Sequence, residues 1–394
     1  MKSFASRMAR LGTETAFEVL AQARALEAQG RDVVHLEIGE PDFDTPAHVT
    51  TAATEALRTG HTHYVPASGI RDLRAAIAEE VARTRGIPVA PEQVVVTPGG
   101  KPILFFSILA LVNEGDEVIY PNPGFPIYES VIRFVGAQAV PLPLREERQF
   151  GVDVDELARL ITPRTRMVIL NSPANPTGGV LGEKQLRAIA DLALRHDLWV
   201  LSDEIYSRIL YDGSCPSITR FPGLPERTIL LDGFSKTFAM TGWRLGYGVM
   251  NREVAQALER LMINSNSCTA AFTQVAGVQA LRGDQEPVRR MVEEFRRRRD
   301  FVVDGLNRIP GVRCLKPQGA FYVFPNITGT GYASPELSKL LLHEAGVATL
   351  SGTAFGSFGE GFLRLSYAAS MESLKKGLER IQGCLARATA GSRG

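Results

Sequence analysis

Two hydrophobic patterns alternate between residues 70 and 250: helix-like segments, and short apolar runs closed by turn residues. The runs at 93–96, 117–120, 166–170, 198–201 and 228–231 read as strands buried on both sides. Their alternation with helices predicts an α/β fold with a mostly parallel sheet sandwiched by helices. Ligands of such sheets sit beyond the carboxyl ends of the strands, so the loops after these runs are the ones to search for chemistry.

Past Gly283 the pattern changes to a long charged helix (VRRMVEEFRRRRDFVVDGL), a strand-like stretch at 320–324, a helix at 335–345 and a strand-like stretch at 362–366. This predicts a smaller α+β domain, which the first residues join because they too hold few strand-helix units. The expected division is 1–45 as N-terminal arm and part of the small domain, 46–284 as the large ligand-binding domain, and 285–394 as the C-terminal small domain. The small polar tail after Arg387 is expected to fray. The longest apolar run, 103–112, is half a bilayer span, and residues 1–20 lack an apolar signal region, so neither a membrane helix nor a secretory signal is expected. Glu14 and Glu18 favour a docking arm over a transit peptide.

Over 394 residues, 44 basic side chains face 43 acidic ones, which removes the electrostatic excess of a nucleic-acid or membrane-surface binder. Arg296 to Arg299 are interleaved with Glu293, Glu294 and Asp300 and read as a solvated helix face. Cys215, Cys268, Cys314 and Cys384 lie far apart with no metal-ligand spacing, which predicts no metal and a reducing, cytoplasmic compartment. His61 and His63 read as loop residues.

Four strand ends carry the chemistry. After 228–231 comes DGFSKTFAMTGWRLGY, in which Lys236 stands among Gly233, Phe234, Ala239 and Met240. A lysine kept out of water is pushed toward its neutral, nucleophilic form, which condenses with an aldehyde. Ser235 adds a hydroxyl, and Arg244 a planar fork suited to a phosphate dianion. LWVLSDEIY delivers Asp203, able to hold a ring NH⁺, and Tyr206, able to reach a ring oxygen; a helix cap and a core tyrosine explain the pair equally well. VILNSPANPTGG presents Asn175 on a stiff loop. VVVTPGGKP ends in Gly99 and Gly100 before a helix, which aims free N–H groups at an anion. It is not a Walker A loop, since Val95 and Pro102 occupy required Gly and Ser/Thr positions.

These residues resemble fold-type I pyridoxal-phosphate enzymes, specifically the class I/II aminotransferase family (aspartate aminotransferase-like). IGEPDF, HYVPASGIRDLR, YPNPGFPIY, NSPANPTGG, SDEIY, the lysine segment, GAFY and FLRLSYA occur in that family's order across about 10–385. The resemblance implies pyridoxal 5'-phosphate as cofactor, with Lys236 joined to it as an imine and shuttling the proton. Asp203 would then sit on the pyridine nitrogen, Asn175 and Tyr206 on the ring hydroxyl, and Phe125 against the ring, where many relatives carry Tyr or Trp. The phosphate would be held by Gly99, Gly100 and Lys101 at the helix start, by Ser235 and Arg244, and by Tyr64 from a second subunit of a homodimer. Arg364 would clamp the substrate carboxylate, assisted by Gly39 and Asn175. The implied reaction moves an amino group from an L-amino acid to a 2-oxo acid by ping-pong kinetics.

Two other functions remain compatible with these residues: a β-lyase, decarboxylase or racemase on the same scaffold, and a non-catalytic relative that has kept the fold. The substrate side chain is open. Arg10 and Lys101 are candidates for a second cation that would meet a dicarboxylate, and the Phe-rich loops (Phe17, Phe125, Phe321, Phe355) suit aromatic or small neutral side chains.

Overall fold

The computed structural model describes residues 4–391, with side chains through 387. In chain order the strands are β1 (Val34–His35), β2 (Val94–Thr97), β3 (Glu117–Asn122), β4 (Gln138–Pro143), β5 (Thr165–Asn171) and β6 (Trp199–Asp203). They continue as β7 (Thr228–Gly233), β8 (Gly246–Val249), β9 (Tyr322–Val323), β10 (Val347–Ala348), β11 (Leu350–Ser351) and β12 (Leu363–Ser366). Seven of them form the central sheet in the order β2-β8-β7-β6-β5-β3-β4. Only β8 runs antiparallel to its neighbours there, so the fold is α/β with a mostly parallel sheet.

The five apolar runs are β2, β3, β5, β6 and β7. Their side chains alternate between two cores. Met167 and Ile169 pack with helices Lys101–Leu111, Ile127–Phe134 and Arg252–Ser265, whereas Val168 and Leu170 pack with helix Glu183–Arg195. Two strands gave no such run. β4 contains Pro141 and Pro143, which survive because β4 is an edge strand with one ladder partner. β8 begins at Gly246, where a Cβ would lie 2.4 Å from the Gly99 carbonyl carbon, so the absent side chain lets the Gly99-Gly100 turn lie against the strand.

β9, β11 and β12 make a small antiparallel sheet, and β1 pairs parallel with β10. One core joins Val34 and Leu36 to Phe295, Phe321 and Tyr367 and to the helices Glu286–Leu306 and Met371–Gly391. The helix expected at 335–345 is α-helical over Ser334–Leu340 and then widens to a π turn, Leu341–Ala345, ending at left-handed Gly346. The tail expected to fray from 388 continues the last helix to Gly391, and 392–394 lie outside the described residues.

The arginine run corrects the sequence reading. Successive residues turn by 100° around a helix, so four in a row cannot all face water. Arg298 and Arg299 are only 7% and 2% exposed. Arg298 bonds Asp42 at 2.7 Å and lies over the Phe43 ring, while Arg299 bonds Asp212 at 2.7 Å and lies over Tyr211. Arg297 keeps the expected solvent exposure, whereas Arg296 is half-buried and donates to the Tyr211 carbonyl oxygen. No helix among the described residues is long and apolar enough to cross a membrane.

A buried ion network lies at the end of the sheet. Arg85, the last residue of helix Arg71–Arg85, donates to Glu204 at 3.0 Å and to Asp232 at 2.6 Å. Glu204 also accepts from Ser202 and Ser217, at 2.9 and 2.6 Å. Burial opposes the arginine's charge, yet the two carboxylates hold it more firmly protonated than usual. The network ties together the ends of β6 and β7, the strands that deliver Asp203 and Lys236. Removing the cation strands two buried carboxylates, a loss of about 3–5 kcal/mol. Arg85→Leu is therefore expected to lower the urea midpoint by that equivalent, and a wild-type midpoint would show that the network does not brace the sheet.

Candidate active site

A cavity of about 570 Å³ opens at the carboxyl ends of β5, β6 and β7. Gly39, Gly100, Lys101, Phe125, Asn175, Asp203, Tyr206, Ser235, Lys236, Arg244 and Arg364 all line it. Of the residues named from sequence, Gly99 and Tyr64 do not, nor, among the candidates for the substrate side chain, do Arg10, Phe321 and Phe355; Phe17 does. Gly99 stands directly behind the wall: a Cβ on it would lie 2.3 Å from Arg244 Nη2. Tyr64 is 87% exposed and outside the cavity of its own chain.

Lys236 follows β7 by three residues, in a turn packed by Phe234 and Phe238. Its Nζ donates to the Gly39 carbonyl oxygen and lies 5.8 Å from the Phe321 ring centroid. Burial lowers its pKa to about 8, opposed by the negative charge of Glu40. The last residue of β6, Asp203, is buried, and that burial raises its pKa to about 6. Two donors restrain that rise: the Tyr128 hydroxyl at 2.7 Å and the Ile205 N–H at 3.2 Å. A carboxylate so placed is short of a cation.

Asn171, paired in register with Asp203 across β5 and β6, donates from its amide to the Asp203 backbone oxygen at 3.1 Å and accepts the Asn175 N–H at 2.8 Å. This bracing fixes the Asn175 loop, and the Asn175 side-chain oxygen is left buried without a partner. Tyr206 shares a hydrogen bond of 2.7 Å with Tyr322. The Tyr322 hydroxyl lies where a Cβ on Gly39 would be, only 2.2 Å from it, so this close approach requires glycine.

Arg364, on β12, donates to the Glu37 carbonyl oxygen and is flanked by the rings of Tyr322 and Phe355. Its Nε is buried with no acceptor. A buried guanidinium with an unused N–H fits a carboxylate ligand. Arg244 donates to Thr241 and Pro98 carbonyls at 2.6 and 3.4 Å beside the Gly99-Gly100 turn. Phe125 meets Tyr128 edge-on, with centroids 5.6 Å apart. The Lys101 ammonium pairs with Glu14 and lies 5.7 Å from the Phe125 ring centroid. Arg10 is directed away, to the Phe134 carbonyl at 3.4 Å and Glu114 at 4.0 Å.

Sequence reasoning gave no role to Tyr128, Asn171 and Tyr322, although each lies inside a quoted segment. Their contribution is a contact with another segment, invisible along the chain. Glu14 and Glu40 were likewise not read as site residues. No group of three or more His, Cys, Asp and Glu among the described residues could hold a metal ion.

The chain matches the family described as Aminotransferase class I and II over residues 31–381. It is 43% identical to aromatic-amino-acid aminotransferase 2 of Thermococcus litoralis over 91% of this chain and 93% of that one. It is 40% identical to the arginine-pyruvate transaminase of Pseudomonas aeruginosa over 97% of each chain. The solved aspartate aminotransferase of Thermus thermophilus with maleate superposes with a TM-score of 0.93, at 41% identity over 98% of this chain and 100% of that one. The fold, the cavity and these likenesses agree: the chain is an aminotransferase and belongs to the class I and II family.

Proposed function

We propose that the cavity binds pyridoxal 5'-phosphate, the cofactor this family is known to use, and that the enzyme moves the amino group of an L-amino acid to a 2-oxo acid in two half-reactions with ping-pong kinetics. One observation carries the reading: a buried amine with pKa near 8 shares a cavity with a cation-deficient carboxylate and a guanidinium that has an unused N–H. The residues fit the cofactor. The Gly99-Gly100 turn, with no Cβ in the way of Arg244, suits a phosphate, and the buried Asn175 side-chain oxygen, an acceptor without a partner, suits a ring hydroxyl that donates.

When bound, the cofactor supplies an aldehyde and a protonated ring that accepts the electron pair released at the substrate Cα. Asp203 holds the proton on the ring nitrogen, and Tyr128 and Ile205 keep that carboxylate ionised. Asn175 and Tyr206 orient the ring oxygen, with Tyr322 steadying the phenol, and Phe125 packs against the ring. Gly99, Gly100 and Lys101 at the helix start, with Ser235, Arg244 and Tyr64 of the partner subunit, hold the phosphate. Arg364 grips the substrate α-carboxylate together with Asn175 and the Gly39 backbone. The Lys236 amine would take the Cα proton at Nζ and pass it on to the cofactor carbon, the work of a base whose pKa lies near the working pH.

The β1-β10 pairing and the shared core of Val34 and Leu36 with Phe295 support an arm and small domain made of 1–45 with 285–394, against a large domain of 46–284. The exposure of Tyr64 supports a homodimer. The free cysteines fit a cytoplasmic enzyme. Relatives named for aromatic, aspartate and arginine donors support transamination over β-elimination, decarboxylation or racemisation.

Borohydride reduction of the cofactor-loaded protein, followed by digestion and mass spectrometry, is expected to tag Lys236. Lys236→Ala should lose the visible absorbance band and about 10³-fold or more of kcat. A tag elsewhere, or retained transamination, refutes the assignment. In cofactor-free protein, acylation of Lys236 should rise with its midpoint at about pH 8 and level above it, as its neutral form becomes complete. Ordinary lysines continue to gain reactivity toward pH 10. A Lys236 profile that parallels theirs would show that the amine is not desolvated.

A further inference from the structure

The cavity carries charges that the reaction above does not use. Arg364, Arg244, Lys236 and Asp203 have roles there; Lys101 serves the phosphate through its place at the helix start, but its ammonium, held by Glu14, has none, nor do Glu14 and Glu40. These three sum to one negative charge. Glu14 directly precedes helix Thr15–Glu27 in the N-cap position, yet its carboxylate makes no capping bond. It turns to Lys101 instead. The arm that carries it is fastened to helix Ile127–Phe134 by the Gly12 N–H on Ser130 Oγ at 2.9 Å and by Arg10 on the Phe134 carbonyl.

Glu14 is the more enclosed partner, with a side chain 17% exposed against 49% for Lys101. Separating a mostly buried carboxylate from its cation costs more than separating a surface pair. A substrate carboxylate that sought Lys101 would have to break this pair and accept Glu40 as a neighbour. Arg10, the other candidate cation, is occupied outside the cavity. Glu14, Glu40 and Lys101 are close enough to the reacting amine to act on its protonation, the acids favouring the charged form and the lysine opposing it.

We propose that Glu14 is a specificity-determining residue: by holding Lys101 it denies the cavity a free second cation, so the enzyme selects amino acids with uncharged or cationic side chains over dicarboxylic ones. This rests on the aminotransferase reading and names its substrate class. An aromatic side chain meets Phe17 and Phe125, which line the same cavity, and a cationic one gains Glu14 and Glu40 as partners.

The test compares kcat/KM of the loaded enzyme for phenylalanine, arginine and aspartate with one common 2-oxo acid. The wild type is expected to use aspartate least, by about tenfold. Glu14→Gln should raise the aspartate-to-phenylalanine ratio by about tenfold and lower the use of arginine. Calorimetry supplies a readout without turnover. Succinate has two carboxylates and no amine, and should bind Glu14→Gln about tenfold more tightly than wild type, whereas butyrate, with one carboxylate, should bind both alike. The double variant Glu14→Gln/Lys101→Gln should lose the gain. A wild type that prefers aspartate, or a Glu14→Gln variant with unchanged ratio and unchanged succinate binding, overturns the role of Glu14. Failure of all three donors, with no spectral change on adding any of them, would instead sink the aminotransferase reading and this inference with it.

Discussion

Desolvation at the carboxyl ends of three adjacent strands is the constraint on which the site depends. Water would keep an amine protonated and a carboxylate ionised, and neither group would then differ from its surface counterparts. Packing around β6 and β7 removes that water. It moves Lys236 down to about 8 and Asp203 up to about 6, toward each other from opposite sides of neutrality. The sheet tolerates this because the charges behind it are settled among themselves, Arg85 between Glu204 and Asp232, with two serine hydroxyls on the remaining Glu204 oxygen and the Gly233 N–H on that of Asp232. Packing, electrostatics and reactivity are thus aspects of one arrangement.

Much of this was legible along the chain. Strands β2, β3, β5, β6 and β7 announce themselves as apolar runs because both their faces are covered, and the residues at their ends could be read as chemistry because such ends collect ligands. Strand β4 was hidden by its prolines and β8 by its glycines. Both exceptions have local causes: an edge position with one partner, and a backbone approach that excludes a side chain.

What the sequence could not show is contact between distant segments. Tyr128 reaches Asp203 across 75 residues, Tyr322 reaches Tyr206 across 116, and Lys101 meets Glu14 across 87. Each partner looks ordinary alone. The arginine run failed for a related reason: its charge pattern suggested one solvated helix face, but helix geometry turned Arg298 and Arg299 toward aromatic rings and acids elsewhere in the chain.

Arg298 has a mechanical consequence. Its bond to Asp42 and its stacking on Phe43 fasten the segment just beyond Gly39 to the long helix Glu286–Leu306, and that helix shares a core with β12, the strand bearing Arg364. Gly39 and Arg364 therefore travel as one jaw. A molecule gripped between them is registered against the amine by the stiffness of a whole helix rather than by the torsions of a single loop, and slackening at residue 298 would be felt as misalignment at Lys236 and Arg364, 62 and 66 residues away along the chain.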